Sequence, residues 1–248
     1  MINSLEKLKR IKELEARSRE RCIFTFSDFM SPTSLYEVTA SLRGGDFSVC
    51  GGAEFAERQM IRFGSEGEFG YEEPFPITVL EIALIGGKFA SPITHRDVLG
   101  AVLNLGIERQ KIGDIFVNGN LCYVIADSAV AQLILAELQS VGRNKVTVKE
   151  VDSVPSELAP KKKEIEFSVS SNRADAVLCK VFGLSREVGA ELFERGLVAI
   201  SGKPCGSPSK PLKEGDTVTV RGYGKMAFEG EGGTSKKGKL YVKVNLFV

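Results

Sequence analysis

Residues 170–222, SSNRADAVLCKVFGLSREVGAELFERGLVAISGKPCGSPSKPLKEGDTVTVRG, constrain the fold more tightly than any other stretch of the chain. Ala174, Val177, Leu178 and Val181 recur at helical spacing, and Ser171 or Asn172 stands where an N-cap belongs. Phe182-Gly183 ends that helix. Ser185 opens a second one, with Val188, Leu192 and Phe193 on one face, and Gly196 sits at a left-handed stop. A short apolar strand over 197–200 follows, then a turn at Ser201-Gly202-Lys203, a Pro-rich connection, a tight turn at Lys213-Glu214-Gly215-Asp216 and the alternating strand 217–221. Elements this short bury their apolar faces only against one another, so the stretch predicts a small α+β module.

The charge of the chain is as uneven as its patterning. The net charge of +1 conceals sixteen Lys and Arg against ten Asp and Glu in residues 161–248, and seventeen against twenty-two in residues 1–160. A cationic C-terminal third points to an acidic partner, and nucleic acid is the partner that fits. Arg173, Lys180, Arg186, Lys203, Lys210, Lys213, Arg221 and Lys225 fall on helix starts, helix faces and turns, where long side chains reach phosphates while their stems cover a small core. The two helix N-termini are expected to add amide donors for anions. The stretch resembles the ribosomal-protein-S4 type of RNA-binding module. The resemblance rests on Arg173 and Asp175, the turn Leu184-Ser185-Arg186, the strand and turn from Gly196 to Lys203, and the Gly215-Asp216 turn with its strand to Val220. Ala174 stands where that family usually has Leu, and Ser201 where it usually has Asn; neither change removes a charge.

Upstream, residues 4–20 read as a helix with Leu5, Leu8, Ile11 and Leu14 on one side. Ser31-Pro32 opens a helix to about Arg43, stopped by Gly44-Gly45. A strand is predicted over 46–50 and a helix over 53–63, whose Glu54, Glu57, Arg58 and Arg62 have ion-pair spacing. Residues 65–76 read as a linker or long loop. From Ile77 the order is strand 77–85, a turn at Gly86-Gly87, a helix opened by Thr94 and Asp97 as a capping box, strand 112–117, an Asn118-Gly119 hairpin, strand 121–126, helix 128–141 and strand 145–151. This β-α-β-β-α-β order predicts a ferredoxin-like or RRM-like domain. Its Tyr123 strand lacks the aromatic pattern of an RRM that stacks bases, so a core tyrosine is expected there. Residues 154–163 read as a linker. Residues 229–239 read as a loop, with Lys236, Lys237 and Lys239 at its tip, before a strand over 240–248. The resulting organisation is α+β throughout: an N-terminal subdomain (1–75), the RRM-like domain (76–153) and the S4-type module (164–248).

The resemblance extends beyond the module. Gly51-Gly52 with Ala56-Glu57-Arg58, the run from His95 to Gly100, Leu105-Gly106-Ile107-Glu108-Arg109, Ile112-Gly113-Asp114-Ile115 and the run from Arg221 to Lys225 are similar to the bacterial YlmH family of S4-domain proteins. That resemblance implies binding to rRNA and tRNA on the large ribosomal subunit, in quality control of stalled chains, and a link to cell division. The candidate RNA-contacting residues are Arg173, Lys180, Ser185, Arg186, Lys203, Lys210, Arg221, Tyr223 and Lys225. A second contact is expected at the helix start formed by His95 and Arg96, with Arg109 nearby.

Other classes fit less well. His95-Arg96-Asp97 echoes a kinase catalytic loop, but position 102 is Val where that pattern needs Asn, and no Gly-rich phosphate loop accompanies it. Gly86-Gly87 lacks the pattern of a methyltransferase cofactor loop. One histidine supports no convincing nucleophilic set, so an RNA-modifying enzyme and a protein-binding adaptor stand as the alternatives to a non-catalytic RNA binder. The five scattered cysteines, none at C-x-x-C spacing, argue against zinc or a disulfide framework and for a reducing cytoplasm. No segment has the length of a membrane span, and the mixed-charge N-terminus is unlike a signal peptide. The chain is expected to need no cofactor and to act as a monomer.

Overall fold

A computed structural model describes residues 4–42, 46–86, 91–234 and 238–247, and the chain forms two compact units, Met1–Ala159 and Pro160–Val248. The first unit opens with helix α1 (Ser4–Arg21) and a two-residue strand β1 (Thr25–Phe26). Helix α2 (Pro32–Thr39) is capped by the Ser31 hydroxyl, which accepts from the Ser34 amide. It stops at Thr39 rather than near Arg43, because the Thr39 and Ser41 hydroxyls donate to the last carbonyls, Leu35, Tyr36 and Val38. The predicted Gly44-Gly45 stop lies outside the described residues. Strands β2 (Phe47–Cys50) and β3 (Met60–Phe63) complete a sheet in the order β1-β3-β2.

The helix expected over 53–63 is not there. Residues 53–59 are irregular and β3 is extended, because Met60, Ile61 and Phe63 are all buried but on two sides. Ile61 and Phe63 join Ile11 and Val38 in one core, while Met60 points the other way to Phe29, Tyr123 and Ile125. Alternate burial is the strand period, and tertiary pairing with β1 and β2 overrides the ion-pair spacing read from the sequence. Arg62 instead packs over Phe24 and Phe75 and reaches Ser48, the Glu72 carboxylate and the Glu73 carbonyl. Those contacts hold the segment 65–76 against the sheet. The predicted linker is thus a packed segment containing a single helical turn, α3 (Glu66–Phe69).

The rest of the unit is a five-stranded antiparallel sheet. Along the chain come β4 (Ile77–Leu84), α4 (His95–Leu103), β5 (Ile112–Asn118), β6 (Leu121–Asp127), α5 (Ser128–Glu137), β7 (Ser140–Val141) and β8 (Asn144–Val151), and the strand order is β5-β6-β4-β8-β7. Helix α5 ends four residues before the expected Val141. Gly142, at φ +58°, turns the chain so that β7 pairs back on β8 and Val141 is fully buried. The Asn144 amide then bonds Ser91 in both directions, at 2.9 Å each. One face of this sheet is covered by α4 and α5, with Leu80, Ile82, Val98, Val102, Val124 and Ile134 between them. The other face packs Val79, Tyr123 and Ile125 against Phe29, Ala56, Met60 and Val154.

The second unit is a six-stranded antiparallel sheet in the order β11-β10-β12-β13-β14-β9. Its strands are β9 (Lys162–Val169), β10 (Val198–Ile200), β11 (Lys203–Pro204), β12 (Thr217–Val220), β13 (Gly224–Thr234) and β14 (Leu240–Phe247), with helices α6 (Ala174–Phe182) and α7 (Arg186–Glu194) between β9 and β10. Two expectations are corrected here. The end of the predicted linker is the start of β9, which pairs with β14 over eight residues. The predicted loop over 229–239 is largely strand, because β13 runs on to Thr234 through two bulges. Of the loop-tip lysines, Lys236 and Lys237 lie outside the described residues. The α6–α7 pair packs closely at Gly189, where an added Cβ would lie 2.3 Å from the Cys179 sulfur. Phe228 is 1% exposed in the core beneath these helices. Phe228→Ala should cost this unit about 3–5 kcal/mol, read as a lower urea midpoint by far-UV circular dichroism.

Candidate nucleic-acid interface

The cationic residues of the second unit fall into two groups, set by where the turns lie. The first surrounds the start of α6. There Arg173 takes the N-cap position, which had been expected for Ser171 or Asn172, and it makes no side-chain cap. The Asn172 amide donates instead to the Leu212 carbonyl and the Glu231 carboxylate. The first helical amides are already used: Ala174 N–H donates to the Lys210 carbonyl, Asp175 N–H to the Pro208 carbonyl, and Ala176 N–H to the Asp175 carboxylate. The α6 N-terminus therefore does not offer those donors to an anion, contrary to expectation. Arg173 itself makes a bidentate pair with Asp175 at 2.8 and 3.1 Å, which raises its pKa.

The neighbouring turn is built from Ser201, in the left-handed region at φ +49°, and Gly202 at φ +77°. Ser201 Oγ donates to Asp216 Oδ1, and the other oxygen of Asp216 accepts from the Lys213 amide. This bonding ties the β10–β11 turn, which carries exposed Lys203, to the Lys213–Asp216 turn. Lys210 is half-buried nearby, with its carbonyl on α6.

The second group gathers at the other end of α6, about 13 Å along the helix axis. The Tyr223 ring is 47% exposed and rests on Phe182 at 6.3 Å between centroids. Arg221 and Lys180 are exposed on the same turn and helix. Across Gly183, the Ser185 hydroxyl caps α7 by accepting from Val188 N–H and so fixes the helix start on which exposed Arg186 sits. The Lys225 ammonium lies 4.9 Å from the Phe247 ring, and Lys162 lies 5.5 Å from the same ring. Lys162 and Phe247 were not among the expected contacts. The signal for them was the alternation in KKEIEFSV, which marks β9 and places Lys162 beside Phe247 in register.

In the first unit the capping box is present. Thr94 Oγ1 accepts from Asp97 N–H while the Asp97 carboxylate accepts from Thr94. Arg96 and Arg109 line different clefts. Arg96 lines a groove with Asn104, Glu137 and Gln139. Arg109 is half-buried and donates to the Ile112 and Gly113 carbonyls. His95 stands near Arg109 and Asp114, with its imidazole below the ordinary value through partial burial first and the Arg109 charge second, Asp114 opposing. Tyr123 is 6% exposed and donates to Glu81 at 3.0 Å, so it is the core tyrosine expected from the sequence. Among the described residues no group of three or more His, Cys, Asp or Glu could hold a metal ion, and no helix is long and apolar enough to cross a membrane.

Residues 71–154 match the family model described as "Putative RNA-binding domain in YlmH". A curated relative, "Ribosome-associated protein quality control protein P2" of Bacillus subtilis (strain 168), is 29% identical over 227 residues, covering 90% of this chain and 88% of its own. Among solved structures, "Cell division protein ylmH from Streptococcus pneumoniae" is 24% identical, covers 61% of this chain and 92% of its own, and has a TM-score of 0.47. The resemblance to the YlmH family is borne out by the family model and the curated relative.

His95 is the one histidine in the chain, so its titration is read without assignment. Its depressed value means that the unfolded chain takes up the proton first as pH falls. The contribution to stability is therefore complete above the ordinary histidine pKa of about 6.5 and declines as pH drops from there to the folded value. By NMR the midpoint should lie below the ordinary value and rise in Arg109→Gln. An unmoved midpoint would remove Arg109 from the surroundings of this ring.

Proposed function

We propose, from the YlmH-type match over residues 71–154 and the curated relative that spans 90% of the chain, that this protein docks on structured RNA at the large ribosomal subunit, with tRNA, in quality control of stalled chains. The observation that carries the reading is the concentration of exposed cations on turns and helix starts of a unit with a net positive charge, beside the exposed Tyr223 ring. We read residues 164–248 as an S4-type module and residues 76–153 as a split βαβ domain, whose strand order supports that assignment, with residues 1–75 as an N-terminal subdomain. The protein acts by binding and not by catalysis, as a monomer in the cytoplasm.

The mechanism follows from charge and shape. Lys180, Arg186 and Arg221 supply long side chains at one end of α6, and Lys203 supplies one at the other, a spacing suited to phosphates on separate parts of a folded RNA. An A-form helix hides its major groove from side chains, so backbone geometry is read more than base sequence. Tyr223 offers a ring face for an unpaired base beside those phosphates. Arg173 contributes less than its exposure suggests, because Asp175 already neutralises it and fewer counterions are released when it meets a phosphate.

Filter binding to a tRNA transcript and to a large-subunit rRNA fragment across a salt series tests this. Arg186→Ala and Arg221→Ala should each reduce the log–log slope by roughly 0.7–0.9. Arg173→Ala should change it less than either. Slopes unaltered by the Arg186 and Arg221 substitutions would place the interface elsewhere.

A further inference from the structure

The first unit contains a cleft of about 460 Å³ that RNA docking by the second unit does not use. It is framed by α1, the segment from Ser27 to Ser34, Arg58 and residues 108–110. Its floor is apolar, with Ile11, Phe29 and Met30 each under 9% exposed. A cleft of this size with an apolar floor and a few convergent polar groups is the form of a small-molecule site.

The charges lining it are unbalanced. Its two acids are engaged: Asp28 lies 3.2 Å from Arg10 and 2.8 Å from Lys111, and Glu108 accepts from the Gln110 amide. Arg58 and Arg109 both donate to the same Ile112 carbonyl, which draws two guanidinium groups together in a half-buried place. Arg58 also donates to the Phe29 carbonyl at 3.0 Å. Asp114, the acid that opposes both charges, has an oxygen that accepts from the Glu57 and Arg58 backbone amides. Burial first and the Arg109 charge second push the Arg58 pKa down to about 10, with Asp114 opposing. Lys7 adds a third cation at the rim, 3.4 Å from the Ser34 hydroxyl. The N–H groups these carbonyls leave unused on the two clustered arginines can donate to phosphate oxygens, and an anion relieves their repulsion.

We propose that this cleft binds a nucleotide, with the phosphate between Arg58, Arg109 and Lys7 and the base over the apolar floor. The chemistry is shared by a free nucleotide and by the 5′-phosphate end of an RNA strand. The inference stands apart from the docking reading, since it uses no residue of the second unit.

Titration calorimetry on the full chain tests it, with adenosine 5′-monophosphate (AMP), adenosine, and penta-adenylate carrying either a 5′-phosphate or a 5′-hydroxyl. AMP should bind, and adenosine should bind about tenfold or more weakly, as a charge-assisted contact requires. Lys7→Gln and Arg109→Gln should each weaken AMP by about tenfold. Arg58 is left intact because its two carbonyls, Phe29 and Ile112, lie on segments distant in sequence, whereas those of Arg109 are three and four residues away. If AMP displaces the phosphorylated oligonucleotide and binds at least as tightly, the ligand is a free nucleotide. If the phosphorylated oligonucleotide binds more tightly and displaces AMP, the ligand is an RNA end. No AMP binding together with no preference for the 5′-phosphate overturns the proposal, as does AMP binding that both substitutions leave unchanged.

Discussion

The antiparallel pairing of β14 with β9 on one side and β13 on the other is the constraint on which the second unit depends. Val242 and Val244 of β14 are fully buried, and they carry the core from the helices across to β9. The same ladder sets the positions of charge. Register places Lys162 opposite Phe247, and β13 brings Lys225 to that ring from the other side. It also anchors the turn that carries Arg221 and Tyr223, since β13 begins at Gly224 directly after it. A cationic surface made of turns has fixed geometry only when the strands between the turns cannot slip, and burial of alternate residues on β14 supplies that register.

The first unit solves a different problem. A four-stranded split βαβ sheet commonly leaves one face open, and RRM domains stack bases there. Here that face is covered by Phe29, Ala56, Met60 and Val154, and Tyr123 is turned inward to Glu81. The part of the sheet around Val79, Tyr123 and Ile125 is therefore closed to base stacking. The joint is held by more than apolar contact: Asp114 on β5 accepts two backbone amides from residues 57 and 58, and Arg58 returns donors to the carbonyls of Phe29 and Ile112.

Much of this was legible in the sequence where the signal was local. The caps at Ser31, Thr94 and Ser185, the Asn118-Gly119 hairpin and the turn at Ser201-Gly202 depend on neighbouring residues, and each stands where it was read. The larger failures, a strand read as helix and strands read as linker and loop, share a non-local cause. Residues 53–63 have helical ion-pair spacing, but Met60 and Ile61 belong to two cores that no short window reveals. Strand β9 and the outer half of β13 look like linker and loop because their partners lie far along the chain or across bulges. The candidate residues were found by charge and position. Their partners were not, and Asp175 on Arg173 or Phe247 beneath Lys225 changes what each cation has left to offer.

Sedimentation of the full chain with bacterial ribosomal subunits through a sucrose gradient tests the central claim most directly, beside a variant carrying Lys180→Ala, Arg186→Ala and Arg221→Ala. The account predicts that the unaltered protein travels with the large subunit at low salt, while the variant, still folded by circular dichroism, remains at the top. An unaltered protein that stays at the top at low salt, or a variant that sediments equally well, would contradict it.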